Sequence, residues 1–217
     1  MMIINILGGG PEEFIPDLEM YKEDEGAIWV GVDHGVFRLL HRGINPDMAF
    51  GDFDSVNDAE WKLIEEKVKQ INRFMPEKDE TDMELALNWA IDKAPGSIKI
   101  FGATGGRIDH FLANIQLLGK KENLHPAIEI EIIDIQNHVQ IVPPGEYTLA
   151  DKKQSKYVSF LPLSEKVEGL TLQGFKYPLE NRNITTGSTL CISNELIQST
   201  GTFSFLSGIL MVIRSHD

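Results

Sequence analysis

Cysteine is nearly absent: Cys191 is the single one among 217 residues. That excludes an internal disulfide and leaves a thiolate metal site without support. Positive charge is scarce as well. Lys and Arg total 20 against 33 Asp and Glu, a formal net charge of −13 at pH 7. Nucleic-acid backbones are held by Lys and Arg, so a nucleic-acid partner is not expected. A small polyphosphate remains compatible, because carboxylates hold Mg2+ and Mg2+ holds phosphates. Long apolar runs are missing: none approaches the roughly 20 residues that a membrane helix needs. The start, MMIINILGGG, has neither the basic residues nor the apolar centre of a signal peptide. A cytoplasmic protein without membrane association is the expectation.

What the chain has is ordinary for a globular protein, with 42% hydrophobic and 24% charged residues. Its length suffices for one large domain or two small ones. In the first part, short apolar runs end in glycine or aspartate. Ile3–Leu7 ends in Gly8-Gly9-Gly10, Ile28–Val32 in Asp33-His34-Gly35, and Met48–Phe50 in Gly51-Asp52-Phe53-Asp54-Ser55. Ile71–Phe74 is a further strand candidate, and Ile98–Phe101 ends in Gly102-Ala103-Thr104-Gly105-Gly106. Helical patterns over 36–41, 58–69, 82–93 and 109–120 separate these runs. The alternation predicts a parallel sheet covered on both faces. The helix at 82–93 starts on Thr81-Asp82-Met83-Glu84, which fits a capping box, with Leu85, Trp89 and nearby alanines as its apolar stripe.

The texture changes after about residue 125. Residues 128–135 alternate isoleucine with Glu129 and Glu131, a period-2 pattern. After Pro143-Pro144-Gly145 come short strand-like pieces at 147–150, 156–161, 169–172, 189–193, 202–206 and 209–213. Such spacing predicts an antiparallel sandwich or barrel. The expected fold class is an α/β N-terminal domain with a mainly parallel sheet, residues 1–142, followed by a smaller C-terminal all-β sandwich domain, residues 143–217.

The carboxylates fall in a pattern. Asp33, Asp52 and Asp54 lie at or past strand ends, Asp109 follows a glycine-rich turn at another, and Asp79 and Asp82 precede a helix. In an open parallel sheet all strand C-termini meet at one edge, where ligands bind at the reversal of strand order. Converging carboxylates repel unless cations sit among them, which suits Mg2+ and a bound phosphate. The glycine turns would let backbone N–H groups approach a phosphate, and Arg107 adds a guanidinium suited to its oxygens. Taken singly, Asp-x-Asp also reads as a solvated turn or helix cap, and Thr81–Glu84 as capping alone. Cys191 reads as a small buried apolar residue. Gly8-Gly9-Gly10 is not the dinucleotide fingerprint, so a nicotinamide cofactor is unsupported.

In order and spacing, GDFDS (51–55), KDETDMELAL (78–87), GATGGRIDH (102–110) with Asn114, and SNE (193–195) resemble thiamine pyrophosphokinase over essentially the whole chain. The resemblance implies an enzyme that moves a diphosphoryl group from ATP to the hydroxyl of thiamine, releasing AMP, with Mg2+ as cofactor. It implies a catalytic and metal-binding set of Asp52, Asp54, Asp82 and Asp109. It places Asp33, Ser55, Thr81 and Arg107 at the nucleotide and its phosphates, and Ser193 and Asn194 at thiamine in the second domain. It also implies a homodimer with thiamine held between subunits. One departure is Asp33-His34-Gly35, where the family pattern expects Asp-Gly-Gly; a side chain at His34 would crowd that turn. The alternatives left open are a Mg2+-dependent phosphohydrolase on a similar sheet edge and a non-catalytic nucleotide or thiamine-binding module.

Overall fold

The computed structural model describes residues 1–22, 26–53, 56–73, 79–124, 127–151 and 155–217. Asp54, Ser55, Phe74 and Lys78 lie outside them. The chain divides into two compact units, Met1–Leu117 with Ala127–Ile135, and Leu118–Pro126 with Gln136–Asp217.

The first unit runs β1 (Ile3–Leu7), α1 (Glu19–Lys22), β2 (Ile28–Val32), α2 (His34–His41), β3 (Met48–Gly51), α3 (Asp58–Lys67), β4 (Gln70–Arg73), α4 (Asp82–Asp92), β5 (Ser97–Phe101), α5 (Ile108–Leu118) and β6 (Glu129–Ile133). Its strands lie in the order β4-β3-β2-β1-β5-β6. Every pairing along that order is parallel. The apolar runs of β1, β2 and β3 are almost wholly buried, as strands covered on both faces must be. On one face Leu39 of α2 packs with Leu7, Trp29 and Phe101. On the other, Trp89 of α4 meets the edge of Phe50 at 6.0 Å between ring centres.

One detail differs from the sequence expectation. The buried stripe of α4 is Met83, Ala86, Leu87 and Ala90, one step round from Leu85 and Trp89. The spacing i, i+3, i+4, i+7 puts these residues on one helical face. Glu131, on the charged side of the alternating pattern, is 8% exposed and stands in register with Lys99 of the neighbouring strand. Because β6 is covered on both faces, alternation in its sequence does not mark a wet side.

The second unit holds β7 (Asn137–Val142), β8 (Gly145–Ala150), β9 (Tyr157–Pro162), β10 (Lys166–Gln173), β11 (Leu179–Thr185), β12 (Thr200–Phe205) and β13 (Leu210–Ser215). They form the antiparallel orders β7-β13-β9 and β11-β10-β12-β8. One core joins Phe160 and Val212 from the first order to Leu172, Ile184 and Phe203 from the second. That is the packing of a sandwich. Cys191 lies in this core at 5% exposure, and burial pushes its thiol pKa up. The expected boundary at Val142 falls one strand late: β7 pairs along its whole length with β13 and so belongs to the second unit. The expected strand at 189–193 is a turn instead. Ser193 there has φ of 55°, which breaks any extended run. No helix among the described residues is long and apolar enough to cross a membrane.

Candidate functional site

Strand order in the first unit reverses once. From β1 the chain steps outward through β2, β3 and β4, then returns past β1 to β5 and β6. The chain leaves β1 and β5 toward opposite edges of the sheet, so their C-terminal ends mark the switch point. A cleft of about 1020 Å³ opens there. Its walls bring together Asp33, Asp52, Thr81, Asp82, Arg107 and Asp109, each anticipated from the sequence. Asp54 and Ser55 lie outside the described residues.

Each of these side chains reaches the cleft for a local reason. Asp33 has φ of 51° and makes no cap hydrogen bond to α2, although it holds the N-cap position. Its N–H donates to the Phe50 carbonyl at 2.9 Å, tying the ends of β2 and β3. Gly51 completes that junction: a Cβ there would stand 2.6 Å from an Asp33 carboxylate oxygen. Beyond it, Phe53 has φ of 56° and is buried among Val36, Ala49, Ile64 and Val68. Its ring also lies 5.5 Å from that of Trp61. A left-handed backbone at a bulky residue costs about 1–2 kcal/mol, which burial of the ring offsets. In Asp-Phe-Asp the aromatic residue is thus the anchor, and Asp52 is turned to the cleft.

The start of α4 separates capping from chemistry. The Thr81 hydroxyl accepts the Glu84 N–H at 3.1 Å and caps the helix. Asp82, the first helical residue, lines the cleft without being the cap. Replacing Thr81 by Ala should lower stability by about 1 kcal/mol in urea unfolding, whereas Thr81→Ser should preserve it. Glu80 lines the cleft as well, and Asp79 does not.

Arg107 and Asp109 face each other directly. Arg107 Nε donates to Asp109 Oδ1 at 3.1 Å and Nη2 to Oδ2 at 2.5 Å. The Arg107 hydrogen bond holds the Asp109 carboxyl below its ordinary value. The pair is therefore fully ionised at neutral pH, and its attraction is lost only on acidification past the carboxylate range. A carboxyl titration by NMR should place Asp109 low, and Arg107→Ala should move it back up.

Two of the glycine-turn N–H groups bond within the protein. The Gly8 N–H donates to the Phe101 carbonyl and the Gly10 N–H to the Gly102 carbonyl, both at 2.8 Å. These donors are committed to the protein itself. A Cβ on Gly10 would lie 2.5 Å from the Gly102 oxygen, so the glycines let the two loops close on each other. The crowding expected at His34 is also absent. His34 is exposed at the cleft rim, while the tight position is Gly35, whose Cβ would lie 1.9 Å from the Leu7 carbonyl oxygen.

Sequence reasoning missed Arg38, which lines the cleft and donates through Nη1 to the Gly10 carbonyl. The available signal was its spacing: His34 and Arg38 stand one helical turn apart on α2 and share a face. It also gave Asn114 no role; its Nδ2 donates to the Ala103 carbonyl at 3.3 Å and holds the glycine-rich turn.

Ser193 and Asn194 belong to the second unit. Ser193 is exposed, and its N–H donates to the Ser159 hydroxyl at 3.0 Å. Asn194 is 2% exposed. Its amide oxygen accepts the N–H groups of Tyr177 and Glu195, and its Nδ2 donates to the Tyr177 carbonyl. It builds the turn that presents Ser193, Tyr177 and Glu195.

Fold and cleft together define a class: a doubly wound unit with a cleft of carboxylates and arginines at its switch point, continued by a β-sandwich. Comparison with known proteins narrows the class. Residues 22–132 match the family described as "Thiamin pyrophosphokinase, catalytic domain", and residues 146–210 match "Thiamin pyrophosphokinase, vitamin B1 binding domain". The chain is 55% identical to a protein of Bacillus subtilis named thiamine pyrophosphokinase, over 100% of both chains. A crystal structure of thiamine pyrophosphokinase from the same organism aligns with TM-score 0.92 at 54% identity, covering 99% of each chain. One from Geobacillus thermodenitrificans aligns with TM-score 0.90 at 51% identity, over 100% of this chain and 98% of that one. The chain belongs to the thiamin pyrophosphokinase family.

Proposed function

We propose that the protein transfers the diphosphoryl group of ATP to the hydroxyl of thiamine, giving thiamine diphosphate and AMP. The observation that carries this reading is the gathering of Asp33, Asp52, Asp82, Arg107 and Asp109 around one switch-point cleft. The full-length likeness to a named thiamine pyrophosphokinase supports it. In the reaction the thiamine oxygen bonds to the β-phosphorus. The bond from that phosphorus to the oxygen bridging it to the α-phosphorus breaks, AMP leaves with that oxygen, and the hydroxyl proton passes to solvent. Positioning and electrostatics do most of the work in such transfers. Arg107 stabilises charge on the phosphates, and Arg38 adds a second cation on the same wall. Asp33 and Thr81 face the nucleotide; the capping hydroxyl of Thr81 still has its proton to donate.

The donor set fits Mg2+. Asp33, Asp52, Glu80, Asp82 and Asp109 offer only hard oxygen ligands. Among the described residues no three His, Cys, Asp or Glu side chains stand together as an ion cage. Mg2+ needs none, since it customarily takes one or two carboxylates and fills its shell with water and substrate phosphate. Asp52 and Asp82 would hold it from the described wall, with Asp54 two residues from Asp52 in sequence, and Asp109 would be available to it once Arg107 turned to the phosphates. Bound there, Mg2+ would neutralise phosphate charge.

Thiamine is assigned to Ser193 and the turn that Asn194 builds, within the segment matched by the vitamin B1 binding domain. The protein acts in the cytoplasm as a homodimer with thiamine held between copies; the exposed Tyr177, Ile192 and Ile197 of the second unit support a second copy there. The test is product analysis with ATP and Mg2+. AMP release that depends strictly on thiamine and stops with a chelator is expected. Steady ADP or phosphate release without thiamine would instead identify a phosphohydrolase.

A further inference from the structure

Thr104 sits in the glycine-rich turn after β5 and lines the cleft, yet nothing above gives it a role. It is 8% exposed, and its hydroxyl has no hydrogen-bond partner. Threonine in a turn ordinarily earns its place by bonding a nearby backbone group. Here that structural reason is missing. The turn is held by other means: the Gly10 N–H bonds the Gly102 carbonyl at 2.8 Å, and Asn114 bonds the Ala103 carbonyl at 3.3 Å. The Thr104 backbone passes close to Gly10, where an added Cβ would stand 2.9 Å from its carbonyl oxygen. A buried hydroxyl without a partner destabilises the ligand-free protein, so its partner is expected from outside the chain.

We propose that Thr104 is a positioning residue whose hydroxyl donates to a non-bridging oxygen of the bound triphosphate. The inference rests on the reading of the cleft as the ATP site. Three residues on, Arg107 supplies the positive charge that draws phosphate to this wall, and the wall between them is glycine, open to close approach. The hydroxyl oxygen is itself buried, so reaching a ligand means rotating about Cα–Cβ from one staggered well to another. The Gly8 and Gly10 N–H groups are already bonded within the protein, whereas the Thr104 hydroxyl is not.

Thr104→Val keeps the shape and removes the hydroxyl, Thr104→Ala removes it with less bulk, and Thr104→Ser retains it. Calorimetric binding of ATP and of inorganic tripolyphosphate, each with Mg2+, is measured beside the Tm of the free protein. Val and Ala should weaken both ligands by about tenfold or more, the scale of a hydrogen bond to a charged group. Ser should stay within about twofold of wild type, and the Tm of ligand-free Thr104→Val should equal or exceed wild type because an unpartnered hydroxyl is gone. Unchanged affinity in Val and Ala beside normal wild-type binding overturns the inference alone. So does weaker ATP binding with unchanged tripolyphosphate binding, or a lower Tm in Thr104→Val that reveals a structural bond. A wild-type protein that binds neither probe overturns the ATP reading and this inference with it.

Discussion

Asp52→Asn should lower the rate of thiamine diphosphate formation by on the order of a hundred- to a thousandfold, the usual loss when one preorganised electrostatic group is removed from a transferring centre. The side chain keeps its size and loses its charge. The anchor beside it, Phe53 in its pocket of Val36, Ala49, Ile64 and Val68, is untouched. The fold should therefore survive, with a Tm within about 2 °C of wild type, as for substitutions away from the core. This separation of activity from stability is what marks Asp52 as chemical. Asp33 and Asp82 carry the same expectation from the same cleft. A variant that turned over normally at saturating Mg2+ would remove Asp52 from the reaction.

Gly35→Ala should do the reverse and strike the fold. Its added Cβ would stand 1.9 Å from the Leu7 carbonyl oxygen and 2.7 Å from the carbonyl carbon. Both are backbone of the central strand, so no side-chain rotation relieves the clash. The start of α2 would have to lift away from β1, taking Val36 and Leu39 out of the core. We expect a loss of about 3–5 kcal/mol, at the upper end for a single substitution. That is a large share of the 5–15 kcal/mol that typically separates folded from unfolded states, so poor folding at 37 °C is expected. Gly9→Ala is the control. Its Cβ would meet His34 at 3.6 Å, an ordinary contact, and should leave the melting curve near wild type. The pair is read directly by thermal unfolding followed by circular dichroism.

Much of the first unit was legible because its signals are local. Apolar runs ending in glycine or aspartate located β1, β2, β3 and β5. Parallel topology then placed Asp33, Asp52, Asp82, Arg107 and Asp109 at one edge without any contact being known. Features set by tertiary packing were not legible. The glycines of Gly8-Gly9-Gly10 and Gly102 suggested open N–H groups, but the two loops bond each other. Only the spatial neighbour of a glycine says whether it faces a ligand or a backbone. Glu131 alternates with isoleucines in sequence, yet it is buried. Arg38 announced itself only by a one-turn spacing on a short helix.

The second unit was harder for a physical reason. β11, Leu179–Thr185, is almost entirely exposed at a sheet edge, so it carries no alternation to find. The 189–193 segment misled in the opposite direction. Its apolar Leu190 and Ile192 suggested a strand, but both are exposed in a turn that the Ile192 N–H closes onto the Thr189 carbonyl at 3.3 Å. Asn194, expected to touch thiamine, is buried, with its amide bonded to Tyr177 and Glu195.

The direct measurement is to follow two labels through the reaction. ATP labelled at the β-phosphorus and, separately, at the γ-phosphorus is incubated with thiamine and Mg2+. Diphosphoryl transfer predicts that both labels arrive in thiamine diphosphate in equal amount while the AMP stays unlabelled. Arrival of the γ label alone, with the β label retained in ADP, or neither label on thiamine, would contradict the account.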